Sequence, residues 1–249
     1  MNFLLDLSFD GTRYCGFQVQ KNGLSVCQAV QDAMEKTLQE RPDVKGCSRT
    51  DSGVHAEHYA LSFASDTAIP AEKLPLALNQ NLPLDIRVNS ARPVPDDFHA
   101  RYSAHAKTYH YRIWNSPIDS PFQQAYYYRV PAPLNVSAMA LAAGGFVGKQ
   151  DFASLCAADC ETAKRSGTVR TITACSVKQQ GPLVIISVTA DGYLYNMVRI
   201  LAGTLLLVGQ GKIRPEEISA VLAAKNRAAA GPTLPAKGLF LHSVDYPCQ

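Results

Sequence analysis

One carboxylate in this chain is placed where it could do covalent chemistry. Asp51 lies in Gly46-Cys47-Ser48-Arg49-Thr50-Asp51-Ser52-Gly53-Val54-His55-Ala56, a polar stretch between apolar alternating runs. Asp and Ser bond their own backbone and Gly takes the left-handed position, so Thr50 to Gly53 reads as a turn. In most such turns the carboxylate only satisfies local N–H groups. Two cations suggest more here: Arg49, two positions before it, and Arg199, alone in an apolar helix. Around Arg199 run Met197, Val198, Ile200, Leu201, Leu205, Leu206, Leu207 and Val208. A guanidinium held there without an anion is unfavourable by on the order of several kcal/mol. Either it reaches water from the helix start, or it meets a carboxylate or a phosphate. The helix dipole gives a cation nothing at that end. Asp51 is the carboxylate whose context best fits. An Asp paired with Arg stays ionised and aimed, as a nucleophile must, whereas a general base usually needs a pKa raised toward neutrality. The pairing therefore argues for carboxylate attack.

A second group of candidates lies in Lys107-Thr108-Tyr109-His110-Tyr111-Arg112. Tyr109 is either a core strand aromatic or a ring that stacks on a nucleobase, with Lys107, His110 and Arg112 on phosphates. His55 and His58, close to Asp51, form too sparse a set to argue for a metal. Seven cysteines (15, 27, 47, 156, 160, 175 and 248) are irregularly spaced and contain no C-x-x-C. They read as free thiols in a reducing compartment.

The elements that must position these residues follow from periodicity. Phe3, Leu5, Leu7 and Phe9 alternate as a strand. Ser25-x-x-Gln28 opens a helix with Val26, Ala29, Val30, Ala33, Met34 and Leu38 on one face. A short strand is expected over 44–48, another through Tyr59, Leu61 and Phe63, a helix from Pro70 carrying Leu74 and Leu78, and a strand over 85–90. The order is βαββαβ, and it returns after the linker at Arg92: a strand over 105–114, a helix capped by Asn135, and strands over 168–178 and 183–190 around Gly181-Pro182. The apolar helix over 196–208, a helix from Pro215 and a strand over 239–244 follow. This predicts an α+β protein of two ferredoxin-like units, residues 1–103 and 104–249, with a groove between them suited to an extended ligand.

The 249 residues are 47% apolar and 18% charged, with a net charge of +3. These values suit a globular protein and permit a polyanionic partner. No run of about 18 uncharged apolar residues suggests a membrane span, and the N-terminal stretch has neither a basic region nor an uninterrupted apolar one. The cytoplasm is the expected compartment.

Arg49-Thr50-Asp51-Ser52-Gly53-Val54-His55-Ala56 closely resembles the catalytic signature of the tRNA pseudouridine synthase A family. The resemblance continues in order along the chain. It includes Phe9-Asp10-Gly11-Thr12-Arg13-Tyr14-Cys15-Gly16-Phe17-Gln18, Ala77-Leu78-Asn79-Gln80-Asn81-Leu82-Pro83 and Asp96-Asp97-Phe98-His99-Ala100-Arg101. Asn196-Met197-Val198-Arg199, Ala223-Ala224-Lys225-Asn226-Arg227 and Gly238-Leu239-Phe240-Leu241 complete it. It implies that Asp51 is the nucleophile, Arg199 its ion-pair partner and Tyr109 the ring against the target base. Arg49 would then act in base flipping, and Leu239 would line the pocket. It also implies a homodimer without metal or cofactor that isomerises uridines 38, 39 and 40 of the tRNA anticodon stem-loop. Cys47-Ser48, Phe17 and Cys156 depart from the family pattern. The last removes an arginine expected on RNA, for which Lys164 and Arg165 could compensate.

For such a reaction the uridine must leave its stack, while phosphate contacts make binding salt-dependent. Attack by Asp51 at ribose C1′ and at uracil C6 are both open to it. A non-catalytic RNA-binding protein of the same two units would be expected to show the aromatic RNP1 pattern, which is absent. A hydrolase or phosphotransferase using Asp51 would need further acidic residues and Mg²⁺.

Overall fold

The alternation of Phe3, Leu5, Leu7 and Phe9 becomes β1 (Asn2–Phe9), with all four side chains buried. It opens a computed structural model that describes residues 1–21, 23–157 and 161–247. Cys160 and Cys248 lie outside the described residues. The Ser25 hydroxyl accepts from the Gln28 amide at 3.1 Å and starts α1 (Val26–Leu38), whose buried face is the expected one. β2 (Lys45–Gly46), β3 (His55–Ala64), α2 (Leu74–Asn79) and β4 (Ile86–Val94) follow. A single 3₁₀ turn over Ala71–Lys73 leads into α2, because Pro75 in its first turn leaves no room for an earlier helical start.

β1 pairs antiparallel with both β3 and β4, and β2 pairs antiparallel with β3. The resulting order, β4–β1–β3–β2, is that of a ferredoxin-like sheet. Its core holds Leu5, Leu7, Tyr59, Leu61, Met34 and Leu74, each wholly buried. β2 is shorter than the 44–48 span expected. The Tyr59 hydroxyl donates to the Ser48 carbonyl, so a side chain takes over where a ladder bond would have continued the strand.

The chain divides into two compact units, one of residues 1–105 with the C-terminal strand from Phe240 on, the other Ala106–Leu239. That strand, β10 (Leu239–Asp245), sets Phe240 opposite His55 and Leu241 opposite Ala56 of β3 in parallel. Chain order assigned it to the second domain, 104–249; from Phe240 on it clusters with the first unit.

The second unit contains β5 (Ala106–Asn115), β6 (Tyr128–Val130), α3 (Val136–Ala143), β7 (Gly148–Asp151) and α4 (Glu161–Ser166). β8 (Val169–Gln180), β9 (Leu183–Ala190), α5 (Met197–Gly209) and α6 (Ile218–Ala223) complete it. β5, β9, β8 and β7 pair antiparallel in that order, and β6 adds to β5 in parallel. α3 packs on α5 and β8, and α5 on β5. Tyr111, Ile113, Val184, Ile186, Met139, Ile200 and Leu201 are wholly buried in this core. The fold is thus α+β, with mainly antiparallel pairing. Among the described residues no helix is long and apolar enough to cross a membrane.

Candidate active site

Asp51 is half-buried on a β-turn closed by a bond from the Val54 amide to its own carbonyl, 3.2 Å. Gly53 has φ +76°, the positive value that a type II turn places at its third residue. The turn rests on the loop after β1. The Phe17 amide donates to Thr50 O at 3.2 Å and the Gly53 amide to Tyr14 O at 3.3 Å, while the Ser52 hydroxyl donates to Tyr14 O at 3.2 Å. Two glycines allow this approach. A Cβ on Gly11 would lie 2.0 Å from Val54 O, and one on Gly16 would lie 2.5 Å from Thr50 O, where φ is already +102°. The Gly11 amide also donates to Nδ1 of His55, which is 1% exposed and stacked on Phe240 at 4.6 Å. His58 instead meets Asp6 at 2.9 Å on the surface, so the two rings serve different partners and do not converge on one point. Between them the β1–β3 register slips, from Leu7 opposite Tyr59 to Phe9 opposite Ala56, a bulge that redirects the strand as it leaves the Asp51 turn.

Gly16→Ala is expected to lower stability by about 1–3 kcal/mol. The methyl must displace the Thr50 carbonyl at a backbone angle that alanine rarely adopts. Denaturant unfolding would show it as a lower midpoint at unchanged slope.

Of the other candidates, Arg49 belongs to the same unit as Asp51 and is exposed. Tyr109, Lys107, Arg112, Arg199 and Leu239 belong to the second unit. On β5, Lys107, Tyr109 and Tyr111 alternate onto the face that α5 covers, and Arg112 points to the opposite face with His110. The structure therefore places Lys107 beside Tyr109 and separates Arg112 from it. Tyr109 is 6% exposed and meets Tyr193 edge-on at 5.0 Å. The Tyr193 hydroxyl donates to Lys107 O at 2.6 Å and to Val188 O at 2.8 Å, which fixes the ring against which Tyr109 leans.

Arg199 stands in the first turn of α5. Its Nε donates to Leu234 O and its Nη1 to Asn196 Oδ1, both at 2.7 Å. Burial pushes the Tyr111 hydroxyl up in pKa, and the charge of Arg199 pulls against it. Close packing holds its acceptor in place: a Cβ on Gly203 would lie 1.9 Å from Pro232 O, and the Thr204 hydroxyl accepts from the Gly231 amide at 2.9 Å. Leu239, 7% exposed, follows Gly238, where a Cβ would lie 2.9 Å from Arg112 O and from the Tyr111 ring.

The sequence profile described as tRNA pseudouridine synthase matches residues 7–103 and 142–247. The chain belongs to the tRNA pseudouridine synthase family. Proteins named tRNA pseudouridine synthase A from Ruminiclostridium cellulolyticum and Moorella thermoacetica are each 43% identical to it, over 97% of this chain and 98% of theirs. One of the same name from Thermoanaerobacter sp. is 41% identical over 98% of this chain and 99% of its own.

The departures from the family pattern lie mostly beneath the surface. Cys47 is wholly buried, Cys156 is 7% exposed, and Phe17 stacks on Tyr59 at 4.3 Å. Tyr14 bonds the Asp51 turn, and Asn196 and Leu234 bond Arg199, roles the sequence did not assign. Tyr14 and Asn196 stand within the motifs quoted from the sequence; Leu234 carried no signal.

Proposed function

We propose that this protein isomerises uridine to pseudouridine in tRNA, at positions 38, 39 and 40 of the anticodon stem-loop, as a cytoplasmic homodimer with Asp51 as nucleophile. The observation that carries the proposal is the Asp51 turn, with its family signature, held on two glycines by bonds from both of its ends. Asp51 attacks the flipped nucleotide, at C1′ or at C6, and the glycosidic C1′–N1 bond breaks. The uracil turns and C5 bonds to C1′, the bond from Asp51 to carbon breaks to return the free carboxylate, N1 takes up a proton from solvent, and the proton on C5 passes to solvent with Tyr109 beside the ring. Product and substrate are isomers, so the balance needs no oxidant, reductant or phosphoryl donor.

Arg199 supplies the positive charge that keeps the Asp51 carboxylate ionised and aimed. Arg49, exposed one residue before Thr50, enters the gap that the flipped base leaves. Lys107 neutralises phosphate on the Tyr109 side and Leu239 closes the pocket floor. Arg112, on the other face of β5, serves a separate stretch of the RNA backbone.

The test uses tRNA carrying tritium at uridine C5. Label should pass to water at equal rates with and without EDTA, and pseudouridine should appear at positions 38–40 only. Binding falls as salt rises, because phosphate contacts release counterions. Tight tRNA binding without label release would make the protein a non-catalytic RNA binder. Mapping of tRNA from cells lacking the protein identifies its substrates.

A further inference from the structure

Asp85 is the last residue before β4, and β4 opposite β1 fixes its backbone, with Ile86 paired to Phe9. From there it holds the loop after β1 at three points. The Tyr14 hydroxyl donates to Oδ1 at 2.7 Å. Arg13 donates to Oδ2 from Nε at 2.8 Å and from Nη2 at 2.6 Å. The Asp10 amide donates to the Asp85 carbonyl at 2.9 Å. Tyr14 is 2% exposed, and its own carbonyl accepts from Ser52 and Gly53, the two residues after Asp51. One side chain therefore spans from the sheet edge at Asp85 to the turn that carries the carboxylate. Burial and the bond to Asp85 both hold the Tyr14 hydroxyl well above its usual pKa, so it stays a donor.

We infer that Asp85 is a positioning residue for Asp51, acting through Tyr14 as a strut between β4 and the catalytic turn. The inference rests on the reading of Asp51 as nucleophile. Asp85 is remote from Asp51 in sequence and touches no reacting atom. Its carboxylate fixes the height of the Tyr14 carbonyl, and that carbonyl fixes Ser52 and Gly53. Misplacing a reacting group by about 1 Å can lower a rate by as much as 10²-fold. The loss of one of several supports should remove part of that.

Single-turnover label release at saturating enzyme, with tRNA affinity measured separately, tests the strut. Tyr14→Phe and Asp85→Ala should each lower the rate constant about tenfold while affinity stays within about threefold. Their combination should be no slower than Asp85→Ala alone. Asp85→Asn keeps an oxygen for the Tyr14 hydroxyl and should recover most of the rate. Arg13→Ala leaves the Tyr14–Asp85 bond and should keep the wild-type rate constant. Exchange of the Gly53 amide should quicken in Tyr14→Phe and Asp85→Ala, whatever the activity. A wild-type rate constant and wild-type Gly53 exchange in both variants would overturn the inference, even with a lowered melting temperature, because partial unfolding removes active molecules without slowing the rest. Wild-type protein that releases no label would instead overturn the reading of Asp51, and the exchange measurement would still decide the strut.

Discussion

Asp51→Asn is expected to lower the single-turnover rate by more than about 10³-fold, a barrier increase of about 4 kcal/mol, while tRNA affinity stays near wild type. The amide keeps the size of the carboxylate and leaves the bonds that hold the turn in place: its closing bond is from the Val54 amide to the Asp51 backbone carbonyl, and its supports come from Thr50, Ser52 and Gly53. What the substitution removes is a nucleophilic oxygen. Asp51→Glu separates nucleophilicity from placement. It keeps a carboxylate and extends it by one methylene, and should still lose about 10²-fold. Label release from the asparagine variant at a tenth of the wild-type rate would remove Asp51 from the covalent role, leaving it a turn-forming residue.

The strands and helices that the sequence announced share one property: their signals are local. The alternation from Phe3 to Phe9, the Ser25 cap and the Gly181-Pro182 turn between β8 and β9 each need only a few neighbouring residues, and each forms as expected. β6, β7 and α4 have three, four and six residues, too few to establish a period. The placement of β10 was illegible for another reason. Its apolar run announces a strand, but its partner, beginning at His55, lies far away in the chain and no spacing encodes that.

The candidate site follows the same division. The Asp51 turn was legible because Asp, Ser and Gly act on their own backbone. Its supports were not, since Tyr14 meets the turn, and Asp85 meets Tyr14, only through folding. For Arg199 the sequence offered two readings, escape to water or an anion. Neither names the neutral acceptors, a carbonyl, Leu234 O, and an amide oxygen, Asn196 Oδ1, that take up two of the guanidinium donors. Asn196 does so from a left-handed backbone, φ +61°, which Asn tolerates better than most residues. The Asn at the helix start thus has a steric reason and a polar one.

Arg199→Ala should cost about 10²–10³-fold in single-turnover rate, the range found when one fixed electrostatic donor is removed from an active site. It should also lower stability by about 1–3 kcal/mol, because Leu234 O loses a charged donor at 2.7 Å. Two further variants separate these effects. Arg199→Gln can restore a donor toward Leu234 O without charge, and should recover stability but not rate. Arg199→Lys keeps the charge but cannot serve Leu234 and Asn196 with one planar fork, so it should recover rate only partly, to within about tenfold of wild type. The decisive combination is Arg199→Gln with Asp51→Asn. If the guanidinium acts by holding the carboxylate charged and aimed, its loss should add nothing once that charge is gone, so the double variant should match Asp51→Asn alone. Losses that multiply would mean that Arg199 acts on the RNA or on the α5 packing, independently of Asp51.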